Sequence, residues 1–499
     1  MYVLAAAGGR DGSVEQAAES ISRSETITLA AIVLAAFSLR MAADIFLPNI
    51  HHPDEVFQYL EQGHRLAFGY GVVPWEYREG VRSWLLPGLL GGLMKATAWL
   101  GGGVTAYLAV IGAVLSALSL SIVLVAWSWA RNLAGPTAGM LAAAITATWF
   151  QLMYFASKPL TEAVAASTLF WGAYLLCGAT GRRRALALSG GALLGLTFVM
   201  RLHLAPAILV IAMIAWRRFP VGGWLASAFC GAMVVAAAGA LDWVTWDYPF
   251  QSFGRYYQVN VIEGRSAEYG VSPWYGYVGS YVLYWSGFIV PFAILTLIGA
   301  RHAPAVLAIP LIIVLSHSLI GHKEFRFVFP ALPFVLLLAA IGTVDLLKAA
   351  GNTWPQLKSH PLIAATVFWA ATSAVLGVGE RFRPNLTKNA DLIAGFADLR
   401  ARQSVCGVGL VEVPWHKTGG YAYLHRNLPI YLVEDAEDLR FTRAAFNAAL
   451  APSKPEMEMN GYRKATCYQH SKVCLYVRMG ACEPLRGRTI NQALIQRGD

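Results

Sequence analysis

The chain has 499 residues, 56% of them hydrophobic and 14% charged, with a formal net charge of +10. That balance excludes an ordinary soluble domain, in which about a quarter of the residues are charged. Nucleic-acid binding is not expected either. The basic residues sit in short segments between apolar blocks, as in Arg182-Arg183-Arg184 and Arg217-Arg218, where they act as membrane topology signals rather than as a polyanion-binding stripe.

Residues 1–25 are polar and read as a short N-terminal lead. Thr26 to Leu47 follows with no small-residue cleavage site, so it reads as an uncleaved first span. Apolar blocks recur at about 84–100, 104–130, 134–156, 161–179, 185–200, 203–216, 222–243, 275–299, 303–320, 325–347 and 361–379. Apolar runs of this kind read as bilayer helices, because in lipid a helix satisfies its own backbone. The expected fold class is an α-helical polytopic membrane protein. Residues 26–379 form its membrane domain, and the polar tail at 380–499 forms a small α/β domain. Within the tail, strands are expected at 404–413, 428–433 and 472–478, with helices near 386–402 and 436–450.

Charge sets the sidedness. If 84–100 stays on one face, eleven crossings remain. The loops at Arg131, Arg182–Arg184, Arg217–Arg218, Arg301 and Lys348–Lys358 then all fall in the cytosol, where Lys and Arg accumulate. Pro87, Gly88, Gly91 and Gly92 permit an interrupted helix in that block. The polar loops 49–83 and 244–274, the junctions at 157–162, 201–203 and 322–326, and the tail then share the outer face. An outward tail carrying four of the six cysteines, Cys406, Cys467, Cys474 and Cys482, suggests disulfides in one of three connectivities. Cys467–Cys474 suits a hairpin staple, which leaves Cys406 for Cys482. No CxxC pair is present, so no metal site is expected.

The chemistry-bearing residues lie on that face. His52-Pro53-Asp54-Glu55 follows the first span. Proline suits the first turn of a helix, and carboxylates are favoured there by the helix dipole. Asp54 and Glu55 are therefore candidate bases, or ordinary helix-start acids. The pattern Phe57, Leu60, His64, Ala67 against Asp54, Gln58, Glu61, Arg65 fits an amphipathic helix on the membrane surface. Trp75-Glu76-Tyr77 and Arg82-Ser83-Trp84 combine aromatic and charged groups that suit sugar stacking and hydroxyl recognition, or interfacial anchoring. His322-Lys323-Glu324-Phe325-Arg326 offers either internal ion pairs or a cationic site for a leaving phosphate, with Arg201 and His203 as further donors. Arg40, inside the first span, is a functional hint or a snorkelling side chain.

Three ordered motifs over about residues 40–340 resemble glycosyltransferase family 22, whose members include GPI-anchor and asparagine-linked-glycan mannosyltransferases. The first is His52-Pro53-Asp54-Glu55 with Gln58, Glu61, Trp75-Glu76-Tyr77, Arg82-Ser83 and Pro87. The second is Asn260, Gly264-Arg265-Ser266, Tyr269-Gly270 and Pro273-Trp274-Tyr275. The third is His322-Lys323-Glu324-Phe325-Arg326-Phe327 with Pro330 and Pro333. Ser157-Lys158-Pro159-Leu160-Thr161-Glu162 is a looser match.

The resemblance implies a GT-C fold and inverting transfer of mannose from dolichyl- or polyprenyl-phosphate-mannose to a hydroxyl of a glycan or glycolipid. No cofactor is needed, and the partners are these substrates and membrane lipids. Asp54 is the implied general base and Glu55 the second candidate. Lys323, Arg326, His322, Arg201 and His203 are candidate donor-phosphate ligands. Trp75, Glu76, Tyr77, Arg82, Tyr269 and Trp274 are candidate acceptor or sugar contacts. The short lead and triple arginine have a bacterial look, which points to a polyprenyl carrier and a periplasmic active site in the inner membrane, or a lumenal one in an endoplasmic reticulum. Alternatives are a same-fold transferase of arabinose or glucose, or a lipid-oligosaccharide transporter. A transporter would place its polar groups at mid-membrane in paired halves.

Overall fold

The computed structural model describes residues 21–353 and 361–498, so most of the expected lead lies outside the described residues. Every apolar block contains a helix. Among the described residues, seven helices are long and apolar enough to cross a bilayer: Arg23–Phe46, Val104–Ala134, Arg183–Met200, Val221–Thr245, Gly276–Ala300, Phe325–Gly351 and Pro361–Val378. Helices Pro136–Thr148, Thr161–Cys177, Ala205–Trp216 and Pro304–Ser318 are shorter. Small residues let these helices approach one another closely. Gly191 and Gly195 face the backbone of Ser227 and Gly231, where any side chain would collide. Phe325–Gly351 runs through the centre and is buried along most of its length.

Arg40 is buried and fully used within the first helix's packing. It donates to Ser119 Oγ (3.0 Å) and to the carbonyls of Thr146 (3.2 Å) and Ala147 (3.0 Å), where helix Pro136–Thr148 ends at the extended Trp149. Its role is to satisfy helix-end carbonyls that lipid cannot.

Helices Arg23–Phe46 and Val104–Ala134 run antiparallel. Glu25 pairs with Arg131 at one end (3.0 Å), and Gly112 packs on the Asp44 carboxylate at the other. The chain between residues 47 and 103 therefore returns to the face it left. Its helix Leu85–Trp99 is continuous rather than interrupted: Pro87 sits in the first turn, and Gly91 packs against the backbone of Gly63.

The tail carries a five-stranded sheet of β1 (Val408–Val411), β2 (Ile430–Val433), β3 (Ala448–Pro452), β4 (Arg463–Cys467) and β5 (Val473–Val477), in the order β2-β1-β3-β5-β4. β1 is parallel to β2 and β3, while β5 is antiparallel to β3 and β4. The helix expected at 436–450 ends at Thr442, because Ala448–Pro452 is drawn into the sheet between β1 and β5. The sulfurs of Cys406 and Cys482 are bonded, as are those of Cys467 and Cys474, the latter joining paired residues of β4 and β5.

The segment after His52 departs from the surface helix expected of its sequence. Residues Glu55–Leu60 form a wide π-helical turn that continues into the α-helix Glu61–Phe68. The polar face is buried as well: Gln58 is 4% exposed and Glu61 0%. The reason is tertiary. The tail covers Glu61, which accepts from the Tyr421 and Ala422 amides, while Gln58 donates to Glu76 within the same loop.

Candidate active site

Asp54 stands at the head of the π-helical turn, a wide-turn geometry that recurs at functional sites. One neighbour is distant in sequence and the other is local. Arg326 Nη2 donates to Asp54 Oδ2 (2.6 Å), and His52 Nδ1 lies 3.1 Å from Oδ1. Burial alone would raise this carboxyl, but the Arg326 guanidinium and then His52 outweigh it, so Asp54 is held well below the usual carboxylate range. Glu55 turns the other way. Its Oε1 accepts from the His52 amide (3.0 Å), and its Oε2 pairs with Lys158 (3.3 Å), which also donates to Asn49.

Arg326 is the keystone. Nε reaches Glu324 Oε2 (2.7 Å), Nη1 reaches Glu162 Oε1 (3.2 Å) and Nη2 reaches Asp54, with the residue only 3% exposed. Three carboxylates surround this guanidinium, and its Nε and Nη2 groups are hydrogen-bonded to two of them. Glu324 is in turn shared with His52 (3.2 Å) and His322 (3.0 Å). Burial opposes its ionised form, but Arg326 and His322 prevail and hold it well below its ordinary value. Both His322 nitrogens face acceptors, Glu324 and the Gly270 carbonyl. The Glu324 hydrogen bond is the main reason its pKa is raised.

The expected phosphate ligands thus divide three ways, with Arg326 and His322 held in the Glu324 cluster. Arg201 pairs with Glu162 (3.4 Å) and stacks over Phe327. Together with Arg82 and His203 it lines a pocket closed by Tyr59, Tyr256 and Thr161. Arg82 Nε is buried there without a hydrogen-bond partner among the described residues, a donor that could meet an anion. Lys323 lies apart, donating to the carbonyls of Ser272 and Ile320.

The expected sugar contacts divide likewise. Glu76 accepts from Gln58 (2.8 Å), and burial raises its pKa. Tyr77 donates to the Gln58 carbonyl (2.8 Å), and Trp75 donates to Tyr269 (3.1 Å) beneath the Arg265 guanidinium. Trp274 is 72% exposed, and among the described residues its aromatic contact is Tyr275.

Glu162 joins the Arg326 cluster to the Arg201 pocket, and His52 links Asp54 to Glu324. Neither was singled out as a site residue from sequence. The signal for both was a charged or titratable group inside a quoted motif next to an apolar block. On the Glu55–Lys158 side lies a second, mostly apolar cavity of about 830 Å³, lined by Leu39, Phe46, Leu108, Phe150 and Tyr423 among others.

The bundle of apolar helices with its sheet-bearing tail has the GT-C fold of membrane glycosyltransferases. Its fold is similar to that of ArnT from Cupriavidus metallidurans, solved bound to undecaprenyl phosphate, with a TM-score of 0.62 at 11% identity over 93% of this chain and 100% of that one. The chain belongs to the Alg9-like mannosyltransferase family, which its residues 31–425 match, and it is accordingly a mannosyltransferase. It is 27% identical over 430 residues to GPI mannosyltransferase 3 of Yarrowia lipolytica, covering 82% of this chain and 78% of the relative. Against the human GPI alpha-1,2-mannosyltransferase 3 it is 23% identical over 429 residues, covering 82% of this chain and 72% of the relative.

Proposed function

We propose that the protein transfers mannose, with inversion, from polyprenyl- or dolichyl-phosphate-mannose to a hydroxyl of a glycan or glycolipid, as the names of its relatives suggest for the acceptor class. The observation that carries this reading is the line of contacts from Asp54 through Arg326 and Glu162 to Arg201 in the cationic pocket. Asp54 is the general base. The Arg326 pair keeps it ionised, the form that can accept a proton, and Oδ1 is the oxygen turned away from Arg326. The acceptor hydroxyl loses its proton to Asp54 as its oxygen bonds to the anomeric carbon. The bond from that carbon to the phosphate oxygen breaks at the same time, and the lipid phosphate leaves with the electron pair.

Arg82, Arg201 and His203 stabilise the charge that builds on the phosphate. Arg326 holds Asp54 instead of the phosphate, and Glu55 steadies Lys158 and the start of the helix. The 830 Å³ cavity offers apolar walls for a lipid chain. Residues 26–379 form the catalytic membrane domain. The tail at 380–499 faces outward, towards the periplasm or the lumen, a reading supported by the basic loops on the opposite side.

Purified protein incubated with radiolabelled polyprenyl-phosphate-mannose and membrane lipid extract should label a lipid product. Transfer from a nucleotide sugar alone would overturn the donor reading. After mild reduction, a membrane-impermeant maleimide should label tail cysteines in intact cells; labelling only after permeabilisation would reverse the sidedness.

A further inference from the structure

We infer that Glu61 is a positioning residue through which the C-terminal part of the chain fixes the place of Asp54. The inference rests on Asp54 as the base. Glu61 is 0% exposed and meets no cation within ion-pair distance among the described residues. Its carboxylate is instead gripped by backbone amides: Val72 N–H (2.7 Å), Tyr421 N–H (3.1 Å) and Ala422 N–H (2.8 Å). Two of these three donors belong to the tail.

The fit is close on the tail's side. Gly420 adopts φ +58°, and a Cβ there would lie 2.6 Å from Glu61 Oε2, so both its conformation and its lack of a side chain are needed. The other end of the segment is held by the tail too. Ile50 N–H donates to the Lys388 carbonyl (3.0 Å), and Asn389 Nδ2 donates to the Ile50 carbonyl (3.1 Å). Residues Ile50–Glu61 are therefore suspended between two grips, with Asp54 in the middle and Phe57 packed edge-on against Trp415.

Between the grips the helix is wide. The Glu61 N–H closes on the Val56 carbonyl. The Phe57 and Gln58 carbonyls take extra donors from Gln62 Nε2 (2.6 Å) and Tyr77 Oη (2.8 Å). Such a turn persists only where its surroundings over-determine it. Loosening the Glu61 grip lets it relax towards α-helical register, which rotates Asp54 away from the acceptor hydroxyl. Arg82, Arg201 and His203 sit on other elements, and of the residues lining their pocket only Tyr59 belongs to the turn, so the cations of the donor site keep their places.

The test is steady-state kinetics on purified full-length variants whose folding is checked by thermal unfolding. Glu61→Gln puts an amide N–H₂ among three N–H donors, and Gly420→Ala crowds the carboxylate while leaving it in place. Each should lower kcat about tenfold to a hundredfold, the cost of an ångström-scale misplacement, with donor KM within about twofold. Tyr107→Phe removes a neighbouring bond to the Ala422 carbonyl without touching Glu61, and should lower thermal stability while keeping kcat.

Wild-type kcat in folded Glu61→Gln or folded Gly420→Ala overturns the inference, as does an equal loss of kcat in Tyr107→Phe. Asp54→Asn separates the two readings. If it is inactive while the Glu61 and Gly420 variants turn over normally, only the positioning role fails. If it turns over normally, the assignment of the base fails.

Discussion

Asp54, its side chain 16% exposed, and Glu61, fully buried, lie seven residues apart on one helical segment, and the protein neutralises them by opposite means. Asp54 is met by a guanidinium from the membrane-embedded part, Glu61 by backbone amides, two of them from the tail. The full positive charge wins against burial and drives Asp54 down. Amide dipoles do not win: burial is the larger effect at Glu61, and its pKa is pushed up to about 7 in spite of three hydrogen bonds. On the proposed reading, one carboxylate is kept ionised for chemistry while the other is held as a geometric fixture. A buried acid's role follows from what faces it, not from its depth.

The sharpest break between the two should come from amide substitution. Asp54→Asn is expected to lower kcat about a thousandfold in a folded protein, in the range for loss of a general base, against the smaller loss expected for Glu61→Gln. Comparable losses in single-turnover transfer assays would erase the distinction drawn here.

A smaller effect should mark the cationic pocket. Arg201→Ala removes a donor to the departing phosphate and is expected to lower kcat/KM by roughly a hundredfold. Arg201→Lys should recover part of this, because charge persists without the planar fork. Lys323→Ala, which alters a side chain bound to the Ser272 and Ile320 carbonyls, should change kcat/KM by less than about threefold. The reverse ranking of Arg201 and Lys323 would move the phosphate site to the 322–326 turn.

The gentlest probe is pH, where the two carboxylates have opposite signs. The folded-state pKa of Asp54 is depressed, so its contribution to stability is present above about pH 4 and is lost as pH falls further. For Glu61 the folded value is raised from 4.5 to about 7. The native state then binds more protons than the unfolded state between those values. Stability conferred below about pH 4.5 therefore falls as pH rises to 7, by on the order of 3 kcal/mol. Thermal unfolding in detergent from pH 4.5 to 8 should show this decline in the wild type and a flatter profile in Glu61→Gln. A steeper decline in the variant would contradict the assignment.

Much of this was legible in the chain itself. Apolar block length and loop charge determined a polytopic helical protein, since a backbone in lipid must bond to itself. The return of residues 47–103 to one face followed from where Lys and Arg fall, and the ends of the first two long helices meet accordingly. His52-Pro53-Asp54-Glu55 was recognisable as a helix start carrying acids, because Pro and carboxylates are locally favoured there.

Local patterns could not tell Asp54 from Glu55, or Arg326 from Lys323, because neighbouring residues share the same propensities. What separates them is a set of partners 100 or more residues away: Lys158 for Glu55, Glu162 and Asp54 for Arg326. The same reason hid Glu61. Its period placed it on a polar face, and periodicity reports only which residues share a face, not whether water or another part of the chain will cover it. The tail covers it with Tyr421 and Ala422, some 360 residues away in sequence.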